Sequence, residues 1–170
     1  KDYLKESEPD KKKKVYAWRT AIGLQDVDGL KPSQYLIETA TRNIEGYITI
    51  EEALDRIESY YEEKEVHLAE KERTEEADKV ASRIALLLSE TAFSFTPQEY
   101  ISIHRKLFQG IYPHAGKIRE YNITKKEWVL DGDTILYGSA SELEATLEYD
   151  FSREREFSYK GLTMEEIIHH

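Results

Sequence analysis

Hydrophobic positions along the chain fall into helical stripes, interrupted once by a β-rich stretch. Val15, Tyr16, Trp18, Ala21, Ile22 and Leu24 form a short apolar run that predicts an extension docked on the main body. The polar start before it, with like charges from Lys11 to Lys14, reads as a solvated arm. Pro32 and Ser33 open a helix with Tyr35, Leu36, Ala40, Asn43 and Ile44 on about one face, and Gly46 closes it. Glu45 then falls in the last turn, at the negative end of the helix dipole, where a carboxylate is unfavourable by about 0.3–1 kcal/mol. Position alone makes Glu45 a solvated side chain. Thr49 and Glu52 form a capping box that opens a helix through about Glu63, with Leu54, Ile57 and Tyr61 as its buried stripe. Residues 62–73 are almost entirely charged and read as an exposed helix end and linker, the best candidate for a domain boundary. Thr74 to Glu90 is the next helix, with Ala77, Val80, Ala81, Ile84, Leu87 and Leu88 inward and Glu75 and Glu76 at its positive end.

The stretch from Thr96 to Thr124 organises the rest. Thr96 is an N-cap, Pro97 stands at the first helical position, and Glu99 closes a capping box. Ile101, His104, Leu107 and Phe108 follow as one stripe, and Gly110 ends the helix. Tyr112, Pro113 and Gly116 force a compact turn, from which Lys117 to Ile123 leaves extended. Trp128-Val129-Leu130 and Thr134-Ile135-Leu136-Tyr137 flank Asp131-Gly132, a strong hairpin-turn signal. A lone hairpin is marginal, so it must lean on helices or add a strand. Ser139 and Glu142 cap a further helix with Leu143, Leu147 and Phe151 buried. Ser152 to Lys160 reads as a charged connection anchored by Phe157 and Tyr159. Thr163 and Glu166 form a last capping box, and Met164, Ile167 and Ile168 begin an apolar stripe. The chain stops at His170 without a C-cap, and the natural protein is expected to continue.

Composition narrows the class. A chain of 170 residues, 39% hydrophobic and 34% charged, suits one soluble helix-rich domain, or one with a helical extension. The net charge of -10 argues against a nucleic-acid partner, so an anionic ligand would need a local positive site. There is no cysteine, and the longest apolar run, Ile84 to Leu88, is too short for a bilayer; a cytoplasmic protein with no membrane partner is expected. None of the five histidines pairs with another at the i,i+4 spacing of a helical metal site. His104 reads as a hydrogen-bonded core histidine, and no P-loop is present.

Together, I-H-R-x-L-F at Ile103–Phe108, I-Y-P-x-A-G-x-I-R at Ile111–Arg119 and the exit Asn122-Ile123-Thr124 resemble the front half of a Fic domain. That family is similar in fold to the Doc toxins, and its members mostly transfer AMP from ATP onto protein hydroxyls; some move phosphate, UMP or phosphocholine. His114 departs from the family, which usually has tryptophan or another large apolar residue there. Thr41-Arg42-Asn43-Ile44-Glu45-Gly46 fits S/T-x-x-x-E-G/N, the family's inhibitory motif. The resemblance implies a mainly α fold: a Fic-like helical bundle with one β-hairpin and an N-terminal helical extension. Residues 1–73 would be the extension, with the inhibitory helix at about 33–46, and 74–170 the front part of the Fic domain. It implies Glu45 as inhibitory glutamate, with Thr41 and Gly46 anchoring and ending its helix. It implies Gly132, Asp133, Thr134, Ile135, Leu136 and Tyr137 as the flap, which covers the nucleotide and pairs with an extended segment of the target protein.

The same resemblance implies ATP and Mg²⁺ as cofactors of a longer bacterial protein, with a homo-oligomer among its expected partners. In the family, H-x-F-x-D/E-G-N-G-R supplies the base, the Mg²⁺ ligand and the γ-phosphate arginine. No residue between Lys1 and His170 matches it, and His169 and His170 lack the Phe, glycines and Arg that would follow. No catalytic residue or metal ligand is therefore assigned in this chain, which alone should transfer no AMP. Two other readings stay open: an antitoxin-like helical module that inhibits a Fic protein in trans, and a helical interaction protein with no nucleotide.

Overall fold

A computed structural model describes residues 11–62, 69–90, 92–126 and 134–170, with backbone alone at 69–72 and 126. Among these the chain is mainly helical, with one small antiparallel sheet. It divides into two compact units, Lys1–Phe93 with Lys106–Ala115, and Ser94–Arg105 with Gly116–His170.

The first unit contains α1 (Lys11–Val27), α2 (Gln34–Ile44), α3 (Ile50–Glu62) and α4 (Ala69–Ser89). α1 packs on α4 and α2, and α3 packs on the same two helices. Trp18, Ala21, Leu36, Ala40, Ile48, Ala53, Ile57, Ala81 and Ala85 form its core. The alanines keep neighbouring backbones close, and the large side chains fill what remains. Ser33 caps α2 by accepting from Leu36 N–H, and Thr49 and Glu52 form the expected reciprocal box at α3. Two expectations change. Lys11 to Lys14 is the first turn of α1, not a solvated arm, and Lys14 is buried. α4 starts at Ala69, upstream of Thr74, since the residues from Ala69 to Arg73 are strong helix formers. Leu88, expected inward, is exposed as well.

Two buried polar nodes tie these helices together. Asp78, fully enclosed on α4, accepts from Ser33 N–H, Ser33 Oγ–H and the Tyr61 hydroxyl, joining α2 and α3 to α4. Burial pushes its carboxyl above the usual range, against the pull of those hydrogen bonds. Burial, with Asp78 as acceptor, also drives the Tyr61 hydroxyl well above its ordinary value. Arg83 holds Glu58 Oε1 at 2.6 Å and donates through Nη1 to the carbonyls of Leu107 and Gln109, at 2.8 and 2.9 Å. Those carbonyls lie at the end of α5 (Pro97–Phe108), where helix geometry leaves them without intrahelical donors. Beyond it, Tyr112 donates to Glu76, which is the first reason its hydroxyl is pushed up to about 12.

The second unit holds the start of α5, β1 (Thr124–Lys126), β2 (Thr134–Leu136), a short 3-10 turn, α6 (Leu143–Glu156) and α7 (Met164–Ile168). At α5 only half of the expected box forms: Thr96 Oγ1 accepts from Glu99 N–H, while Thr96 N–H goes to Ser94 O. The described part of the hairpin's first strand is Thr124–Lys126; the expected Trp128–Leu130 run and Asp131-Gly132 lie outside the described residues. In the hairpin Lys126 pairs with Thr134. The base of the hairpin fixes this register. Arg119 donates to Tyr121 O and Gly138 O, and Asn122 Oδ1 accepts from Ala140 N–H. Ser139 makes no side-chain cap to the following helix; its hydroxyl meets Ser141 instead. α6 runs through the charged Ser152–Glu156 that reads as a connection, its Glu and Arg being good helix formers. Leu143, Leu147 and Phe151 are half-buried rather than buried, and among the described residues of this unit only Pro97 and Gly116 are enclosed. Thr163 and Glu166 form the expected capping box.

Candidate functional site

Glu45 is the C-cap of α2, and the helix end that carries it is built from the expected residues. Gly46 follows in the left-handed region at φ 82, which only glycine enters without strain. Gly46 N–H then reaches Asn43 O at 3.0 Å and Tyr47 N–H reaches Arg42 O at 2.9 Å, a Schellman closure. Thr41 turns its hydroxyl back onto Ile37 O at 2.8 Å, and its carbonyl accepts from Glu45 N–H at 2.9 Å.

The residue that fixes this end in space is Asn43. It is almost wholly buried, with Oδ1 accepting from Trp18 Nε1–H at 2.9 Å and Nδ2 donating to Ile48 O at 3.0 Å. One amide therefore joins α1, α2 and the turn into α3. Around it α1 supplies two cations. Lys14 Nζ donates to Asn43 O at 3.2 Å, and Lys11 Nζ lies 2.6 and 2.8 Å from the two Glu45 carboxylate oxygens. The unfavourable placement of Glu45 at the negative helix end is thus offset by lysines from another helix. Sequence reading placed Asn43 on the inward face but missed its partners. The available signal was the spacing of Lys11, Lys14 and Trp18, which share one face of a helix.

The expected flap residues belong to the second unit. Thr134, Ile135 and Leu136 form β2, with Leu136 largely exposed and Tyr137 just beyond the strand; Gly132 and Asp133 lie outside the described residues. Among the described residues each strand has a partner on one side alone. His104 accepts from Gly116 N–H through Nδ1 at 2.8 Å, so that nitrogen carries no proton and the ring braces the turn.

Comparison with protein-family models, curated proteins and solved structures finds no match. Among the described residues no His, Asp and Glu side chains gather as a metal site. No described helix is long and apolar enough to cross a membrane.

Proposed function

We propose that this chain is the regulatory and flap-bearing part of an autoinhibited Fic-type protein adenylyltransferase, with Glu45 as its inhibitory group. Such an enzyme transfers AMP from ATP to a protein hydroxyl, through a H-x-F-x-D/E-G-N-G-R motif that this chain lacks. The observation that carries the reading is the end of α2, where a buried asparagine held by Trp18 and Lys14 and a Schellman glycine fix the backbone that carries Glu45. A carboxylate so held is suited to accept a charge-assisted contact from the arginine that would otherwise take the γ-phosphate. The two-stranded hairpin is suited to receive an extended segment of a protein substrate. In a protein that joins this chain to the motif, Glu45→Gly should raise AMP incorporation about ten-fold or more, the worth of one charged hydrogen bond. Incorporation equal to wild type would remove the inhibitory role.

One feature favours a second reading, an antitoxin-like module acting in trans. The unit carrying Glu45 has its own helical core and buried polar nodes. This reading predicts that the isolated chain lowers the activity of a Fic enzyme that has no inhibitory helix of its own.

A further inference from the structure

Lys11 approaches Glu45 in a particular way. Its Nζ lies between the two carboxylate oxygens, at 2.6 and 2.8 Å, so it occupies the outer face of the group that a guanidinium fork would need. The inner contacts of the same helix are buried, since Trp18 and Lys14 hold Asn43 within the core. The outermost contact alone is open to water, with 61% of the Lys11 side chain and 43% of the Glu45 side chain exposed. An exposed pair of this kind is weak and exchanges readily, while the backbone beneath it stays fixed.

We propose that Lys11 is a second seat for the Glu45 carboxylate, one that competes with the arginine-type cation Glu45 would neutralise and so sets the strength of inhibition. This rests on the inhibitory reading of Glu45. Lys11 Nζ reaches both carboxylate oxygens, so an arginine fork that takes both must compete with it, and Glu45 seated on Lys11 inhibits less. Removing Lys11 then strengthens inhibition rather than relieving it, which is the opposite of what a merely supporting residue would do. The whole effect lies within the worth of an exposed ion pair, a factor of about two to five.

Two measurements test this. In the 170-residue chain, acetylation of Lys11 by acetic anhydride, followed by mass spectrometry, should be slower than in its Glu45→Gln variant. Equal rates overturn the seat. In the protein that carries the motif, Lys11→Met should lower basal AMP incorporation about two- to five-fold with Glu45 present, and have no effect beside Glu45→Gly. If Lys11→Met leaves incorporation unchanged or raises it while Glu45→Gly still activates, the competition is wrong and the inhibitory reading stands. If Glu45→Gly itself fails to activate, both fall.

Discussion

Trp18, Leu36 and Ile57 are almost fully enclosed in the first unit, whereas in the second Leu143, Leu147 and Phe151 of α6 remain half-exposed. The first unit draws on apolar burial, worth about 25 cal/mol for each Å² removed from water. It then adds Asn43, Asp78 and Arg83 as buried polar ties whose partners are all within reach. The second unit draws on caps and side-chain clamps: Arg119 and Asn122 at the hairpin base, His104 on Gly116, Thr163 with Glu166. Each such bond nets only about 0.5–1.5 kcal/mol. The difference teaches where a fixed group can be carried. On the proposed reading, a carboxylate that has to hold its position is best mounted on the packed unit, which carries Glu45, while a strand that accepts another chain suits the lightly packed one.

The comparison can be broken most sharply at Trp18. Trp18→Ala removes the largest core side chain and the donor to Asn43, and should cost about 3–5 kcal/mol. Denaturant unfolding followed by circular dichroism should show the loss, while hydrogen exchange in the hairpin stays as in wild type. Equal loosening of both units would mean that they are not held separately. The converse change is Gly116→Ala. Gly116 has φ 68, and an added Cβ would meet Arg105 Cβ at 2.6 Å. That strain, with the turn distorted around His104, should cost about 1–3 kcal/mol and speed exchange at 117–126, leaving α1–α4 unchanged. The smallest effect is in α7. Thr163 N–H and Oγ–H both donate to the Glu166 carboxylate and hold it below the usual range. Its contribution is therefore present above the ordinary carboxylate pKa and lost as pH falls through the lowered one. The protection of the Glu166 amide, relative to its intrinsic exchange rate at each pH, should fall as the carboxylate is protonated, and Thr163→Ala should abolish that dependence.

Much of this was legible in the sequence where a local rule acts alone. Ser33, the Thr49–Glu52 pair and the Thr163–Glu166 pair are caps that need only their own helix, and all three form as the spacing predicts. Leu36, Ala40 and Asn43 face inward for the same reason. The reading failed where a partner comes from far along the chain. Lys14 looks solvated until the carbonyl of Asn43 is placed beside it. Ser139 fails for a local reason, because Ser141 takes its hydroxyl. At the candidate site the carboxylate and its closing glycine could be named from six consecutive residues. Lys11 and Trp18 could not, because nothing local ties them to Glu45 and Asn43.

The claim on which the rest depends is that the end of α2 is rigid because Asn43 is locked into the core. Hydrogen exchange at the amides of Glu45 and Tyr47, bonded to Thr41 O and Arg42 O, tests it most directly. They should exchange as slowly as the amides around Trp18, through unfolding of the whole first unit. Exchange as fast as in α7 would show a frayed helix end, unable to hold a carboxylate in place.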